Sequence, residues 1–193
     1  VQYLHENGVV HRDLKPANIL LTLDARTGGL VAKIGDFGLS RTTDSPEMTA
    51  LIGTVQYMAP EVLNGTQNNN QRFEYTAAVD IFSFAVILWQ LLTSAEPYES
   101  AGEPNRFRLL QRIAQGGLRP DVPAWIAPSL SSRLAESWAE AEHERPSSAE
   151  LVRRLRLVYA TEFGADWRAS EAQVSAGTTQ ARNMLQWRQS FPR

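Results

Sequence analysis

An aspartate, a lysine and an asparagine stand close together in His11-Arg12-Asp13-Leu14-Lys15-Pro16-Ala17-Asn18. Moving a phosphoryl group onto a hydroxyl makes four demands. The hydroxyl must be aimed, its proton accepted, the phosphate charge screened and magnesium held. Asp13 can take the hydroxyl, Lys15 the moving phosphate and Asn18 the metal, and the spacing puts all three in one compact turn. A second carboxylate follows in Asp36-Phe37-Gly38, on a Gly turn after a β-prone stretch. Magnesium prefers such hard oxygen ligands. Alone, that tripeptide is an ordinary turn; after the first run and in this order it reads as a metal site. A third block is Gly53-Thr54-Val55-Gln56-Tyr57-Met58-Ala59-Pro60-Glu61.

The elements that must position these residues are legible in outline. Val1 to Gly8 reads as the tail of a helix, with Tyr3 and Leu4 on its apolar side and Gly8 as its stop. Three β-prone stretches follow: one beginning at Val9-Val10, Ile19 to Leu21, and Leu30 to Ile34 after a turn-rich insert from Asp24 to Gly29. Arg41 to Thr49 is polar and rich in hydroxyls, a loop by composition. Asn68-Asn69-Asn70 marks a small low-complexity insert. Val79 to Leu92 is apolar apart from Asp80, Ser83 and Gln90. At roughly 14 residues it is too short to span a bilayer and reads as a buried helix. Asn105 to Gln115 places Phe107, Leu110 and Ile113 at helical spacing, closed by Gly116-Gly117. Leu130, Leu134 and Trp138 predict another helix. Ser147-Ser148-Ala149-Glu150 is a capping box opening a helix to about Ala160. Short strands followed by helices imply an α+β, mainly α fold. The expected division is a domain over 1–160 and a polar tail over 161–193, in which Met184-Leu185 and Trp187 could form one short helical face.

Composition narrows the function. The chain has 193 residues, no cysteine and a net charge of -2. Thiolate metal sites, disulfides and cysteine nucleophiles are excluded. There is no basic excess for nucleic acid or an anionic membrane. No signal peptide pattern follows Val1, and a cytoplasmic setting is expected. Asn64-Gly65-Thr66 fits a glycosylation acceptor only formally. His5 and His143 have no partners at metal spacing and read as surface residues.

The three motifs, in this order, resemble the catalytic, magnesium-binding and substrate-receiving segments of eukaryotic-type protein kinases, over about Val1 to Leu157. The resemblance implies a protein-kinase-like fold limited to the helical C-terminal lobe, with the N-terminal lobe absent. It implies ATP and Mg2+ as cofactors and protein substrates as partners. Asp13 would be the catalytic base or hydroxyl-orienting carboxylate. Lys15 would steady the phosphate, and its place after Asp13 is the serine/threonine pattern. Asn18 and Asp36 would hold magnesium, Leu20 would lie beneath the adenine, and Thr54 would bond near Asp13 and Lys15. His11 and Phe37 would stack in a regulatory spine beside Gly38. Glu61 would pair with Arg145. Asp80 is either an N-cap, or the anchor of the His11-Arg12 backbone, or both. Arg12 would receive a phosphate on the activation loop, with Thr42, Thr43, Ser45 and Thr49 as candidate acceptors.

Downstream, Asp80-Ile81-Phe82-Ser83-Phe84-Ala85, Trp89-Gln90-Leu91-Leu92-Thr93 and Arg145-Pro146-Ser147 resemble the tyrosine-kinase-like group of serine/threonine kinases. Ala85 departs from the glycine usual there. No Gly-rich phosphate loop or strand lysine precedes Val1, and the expectation is a fragment inactive alone. The competing expectations are a non-catalytic scaffold or regulatory module, and an unrelated metal-dependent hydrolase. The hydrolase leaves the Gly53 to Glu61 block unexplained.

Overall fold

The computed structural model describes residues 1–24, 29–36, 55–67 and 75–164. It opens with a short helix, α1 (Gln2–Glu6), which ends at Gly8 with φ +71°. Val9-Val10 does not begin a strand. The Val9 amide donates instead to the Leu4 carbonyl at 2.9 Å, so the extended residues are the exit of a helix cap. A 3-10 turn (Pro16–Asn18) leads into β1 (Ile19–Leu23). β1 pairs antiparallel with β2 (Leu30–Ile34), from Ile19↔Ile34 to Leu23↔Leu30.

The remaining described regular structure is helical: a 3-10 turn (Val55–Tyr57), α2 (Pro60–Gln67), α3 (Ala78–Thr93), α4 (Arg106–Ala114), α5 (Pro128–Ser137) and α6 (Ser148–Phe163), with further 3-10 turns at Glu99–Ala101 and Glu142–Glu144. The fold is α+β, mainly α. No helix among the described residues is long and apolar enough to cross a membrane.

α3 is the centre of the core because it is apolar nearly all round. Phe82, Ala85 and Val86 are completely buried, and Leu134 and Trp138 of the α5 region, Val158 of α6 and Leu14 pack around them. Its polar groups are satisfied: Ser83 Oγ donates to the Tyr57 carbonyl at 2.7 Å, and the Trp89 indole donates to the Asp121 carbonyl at 2.8 Å. Ala85 lies fully buried in this core.

A second cluster, Val55, Leu63, Tyr98, Leu109, Ile113 and Ala114, joins α2 to α4. Here Ile113 and Leu110 pack as the sequence reading has them, and Phe107 departs from it. Leu109 and Ile113, four residues apart, point inward, while Phe107 is 60% exposed, because residues two apart on a helix do not share a face. Asn105 caps α4 by accepting from the Phe107 and Arg108 amides. Ser147 caps α6 by accepting from the Glu150 amide. α6 runs past Ala160 to Phe163 and ends on Gly164 in the left-handed region. The rest of the expected tail, 165–193, lies outside the described residues, as does the Asn68-Asn69-Asn70 insert.

The second cluster holds a buried hydroxyl with no hydrogen-bond partner among the described residues, that of Tyr98. Burial drives its pKa upward. Burying an unpaired hydroxyl costs about 1–3 kcal/mol. Tyr98→Phe is therefore expected to leave stability unchanged or raise it by up to about 1 kcal/mol, as read by urea unfolding. A loss of more than about 1 kcal/mol would mean that the hydroxyl is bonded.

Candidate active site

The Asp13 loop is hung from α3. Asp80, fully buried in the first turn of α3, does not cap it; Ala77 stands at the N-cap without a side-chain bond. The carboxylate reaches across instead. Oδ2 accepts from the His11 amide and Oδ1 from the Arg12 amide, both at 2.8 Å. These bonds hold Arg12 at φ +69°, a left-handed conformation that costs a non-glycine residue about 1–3 kcal/mol. Asp36 has the same kind of backbone, with φ +56°.

His11 joins the loop to the turn that carries Asp36. The Asp13 amide donates to His11 Nδ1 at 3.3 Å, so the ring proton sits on Nε2, which donates to the Gly35 carbonyl at 3.0 Å. The ring is 1% exposed and sits as a packed bridge between the two segments. The Gly35 amide in turn donates to the Asn18 carbonyl at 2.8 Å. Together with the Ile19↔Ile34 pair, these bonds set Asn18 and Asp36 on adjacent chain segments.

Within this frame Asp13 is 4% exposed. Its Oδ2 accepts from Lys15 Nζ at 2.8 Å and from Asn18 Nδ2 at 3.0 Å. Asn18 Nδ2 also donates to the Asp13 carbonyl at 2.8 Å. Both bonds from the Asn18 amide nitrogen run to Asp13. Asp13 Oδ1 is buried and has no partner among the described residues. A buried carboxylate oxygen is normally satisfied, so this acceptor stands out among the described residues.

Leu20 lies on β1 beside Gly35, where an added Cβ would sit 3.4 Å from Leu20 Cδ1. It is 60% exposed, and Leu21, Leu23 and Leu30 of the same sheet are exposed with it. The sheet therefore bares apolar surface next to the polar loop.

Below the loop, Arg145 meets Glu61 in a bidentate pair, Nη1 to Oε1 at 2.6 Å and Nη2 to Oε2 at 2.9 Å. The Arg12 guanidinium lies 5.9 Å from the centre of the Tyr75 ring. Its Nε is buried without a hydrogen-bond partner among the described residues. Phe37, Gly38, Thr54 and the candidate phosphate acceptors Thr42, Thr43, Ser45 and Thr49 lie outside the described residues.

One sequence reading is corrected. His5 is not a surface residue: its side chain is 7% exposed and its Nε2 lies 2.8 Å from Asp80 Oδ2. Its partner stands 75 positions away, so no local pattern announces the contact. His143 is exposed, as expected. Asn64, in α2, donates its side-chain amide to the Ala114 carbonyl at 2.8 Å, a helix-to-helix contact instead of a free acceptor.

Residues 1–155 match the protein kinase domain family. The chain belongs to that family. The kinase domain is 36% identical over 156 residues to serine/threonine-protein kinase STY17 of Arabidopsis thaliana, covering 80% of this chain and 25% of the relative. It is 34% identical over 159 residues to serine/threonine-protein kinase STY46 of the same plant, covering 82% and 25%. A probable serine/threonine-protein kinase of Dictyostelium discoideum, drkC, is 36% identical over 164 residues, covering 82% and 20%. The chain thus spans about a quarter of the length of the curated relatives it matches or less. The described kinase fold, helices with one two-stranded sheet, is of the C-terminal lobe type.

Proposed function

We propose that this chain carries the phosphotransfer centre of a cytoplasmic serine/threonine protein kinase that uses ATP and magnesium. The observation that carries the reading is the Asp13 carboxylate, clamped through Oδ2 by Lys15 and Asn18 with Oδ1 left without a partner among the described residues. A substrate hydroxyl donating to Oδ1 would be aimed at the phosphoryl group, and Asp13 would take its proton. Lys15, held beside Asp13 at 2.8 Å, would steady the transferred phosphate. Asn18 through Oδ1 and Asp36 through its carboxylate would hold magnesium. Two protein oxygens suit this ion, which takes its remaining ligands from phosphate and water. Bound magnesium supplies charge screening on the phosphates.

Thr54 would bond near Asp13 and Lys15, the arrangement that the resemblance implies for a serine or threonine acceptor. Leu20 would form the apolar floor under the adenine, and its exposure fits a nucleotide site whose other wall is supplied from elsewhere. The serine/threonine assignment is supported by Lys15 and by the names of the relatives. Thr42, Thr43, Ser45 and Thr49 are the proposed acceptors of an activating phosphate read by Arg12.

The test is phosphotransfer from ATP and magnesium to a peptide library by a protein in which the chain is joined to a nucleotide-binding lobe. Phosphoserine and phosphothreonine are expected; phosphotyrosine alone, or transfer without a divalent cation, would overturn the reading. Titrating magnesium-ATP into the 193-residue chain separates it from the scaffold alternative. Little binding is expected without a second wall. Tight binding would favour a regulatory module with its own nucleotide site.

A further inference from the structure

We propose that His5 is a positioning residue for phosphotransfer, acting through Asp80 on the Asp13 loop. Asp80 is a fully buried carboxylate. Such a group persists as an anion only where donors surround it. Two donors, the His11 and Arg12 amides, come from the loop that Asp80 must hold. They cannot also define where the carboxylate stands. The third, His5 Nε2, comes from α1, a separate element whose end is closed by bonds from the Gly8 amide to the His5 carbonyl and from Val9 to Leu4. His5 thereby fixes the plane of the carboxylate from outside, much as an outer partner orients a metal ligand.

The ring chemistry agrees. An ionised carboxylate only accepts, so the proton of His5 belongs on Nε2. Nδ1 is then a bare acceptor, and it is buried with no partner among the described residues. The ring is held for its contact with Asp80 and not for a satisfied fit. Strained Arg12 sits immediately before Asp13, so a carboxylate free to turn would let the loop relax toward an ordinary backbone and carry Asp13 with it.

The inference rests on the proposed role of Asp13 only for its kinetic consequence, and its structural test is independent of that role. Long-range nitrogen-proton NMR on the 193-residue chain should show His5 as the Nε2–H tautomer with a slowly exchanging proton. An Nδ1–H tautomer or a rapidly exchanging mixture overturns the proposal. In hydrogen exchange, His5→Leu should raise the rates of the His11 and Arg12 amides about 10-fold, an opening worth about 1.4 kcal/mol, while Val86 and Leu134 change less. His5→Gln, whose terminal amide can reach the same oxygen, should restore protection. Unchanged His11 and Arg12 protection in a folded His5→Leu overturns it; if that variant does not fold, the wild-type tautomer decides. In a transfer-competent protein, His5→Leu should lower kcat about 10-fold or more with little change in KM for ATP, since small misplacements of reacting groups cost up to about 100-fold. Unchanged kcat overturns the kinetic role. An inactive wild-type protein with the expected tautomer and protection would instead count against the role of Asp13.

Discussion

Asp13→Asn is expected to slow phosphotransfer by about 100- to 10,000-fold, the usual contribution of a positioned general base, while leaving the fold intact. The amide has the shape of the carboxylate and can still face Lys15 and Asn18. With its oxygen toward Lys15 and Asn18, it presents an NH2 donor where the hydroxyl needs a proton acceptor, and Lys15 loses the anion that parks it 2.8 Å away. Most of the loss should fall in kcat, because peptide and nucleotide contacts are unchanged. Lys15→Met should cost less, since it removes charge screening but not the acceptor. The double variant should lose less than the product of the two, as residues working on one transition state are not additive. Steady-state transfer in a protein bearing a nucleotide-binding lobe measures all three. A rate within a few-fold of wild type in Asp13→Asn would remove Asp13 from the chemistry. An unfolded variant, seen by circular dichroism, is answered by Asp13→Glu, which keeps the charge and should restore the fold while the longer side chain misplaces the acceptor.

How much of this was legible in the sequence depends on range. Asp13, Lys15 and Asn18 lie within one turn, so their mutual contacts follow from spacing. The Ser147 cap and the inward row at Leu130, Leu134 and Trp138 are equally local, although the Glu150 carboxylate turns to Arg153 and Arg154 and does not close the expected capping box. Long-range contacts divide into two kinds. Glu61 with Arg145, and Asp80 with the loop backbone, were anticipated only through the family resemblance, because sequence separation hides them. His5 was missed altogether: a histidine between Leu4 and Glu6 has a solvent-facing look, and only the buried position of Asp80 makes it a donor. Phe107 shows the opposite error. Of the three apolar residues at helical spacing, Ile113 is buried and Leu110 packs against the same cluster, but Phe107 is exposed and Leu109 joins Ile113 on the inner face. Val9-Val10 shows a third, where β propensity yielded to the needs of a helix end.

The second large effect is on stability, at Arg145. All five guanidinium donors are engaged: two with Glu61, and one each with the carbonyls of Ala139, Ala78 and Glu140. The Phe82 ring, which is completely buried, lies 5.1 Å from the guanidinium carbon. One side chain therefore ties α2, the start of α3 and the approach to α6 together. Arg145→Met keeps the volume and removes every donor. It leaves three carbonyls and a carboxylate to find new partners, and breaking a buried pair from one side typically costs about 3–5 kcal/mol. The Glu61 side chain is 26% exposed and can partly rehydrate, which favours the lower end. For a domain of this size that is a fall in Tm of roughly 6–20 °C. Arg145→Lys should rescue little, because a single ammonium cannot serve five acceptors in a plane. Glu61→Gln should cost less than Arg145→Met, since the amide oxygen still accepts and no cation is stranded without its backbone carbonyls. Combining the two should cost less than their sum, by about 0.5–3 kcal/mol of coupling. Urea unfolding of the four variants measures the cycle. Full additivity would mean that Glu61 and Arg145 act separately, and that Arg145 stabilises the domain through its backbone contacts alone.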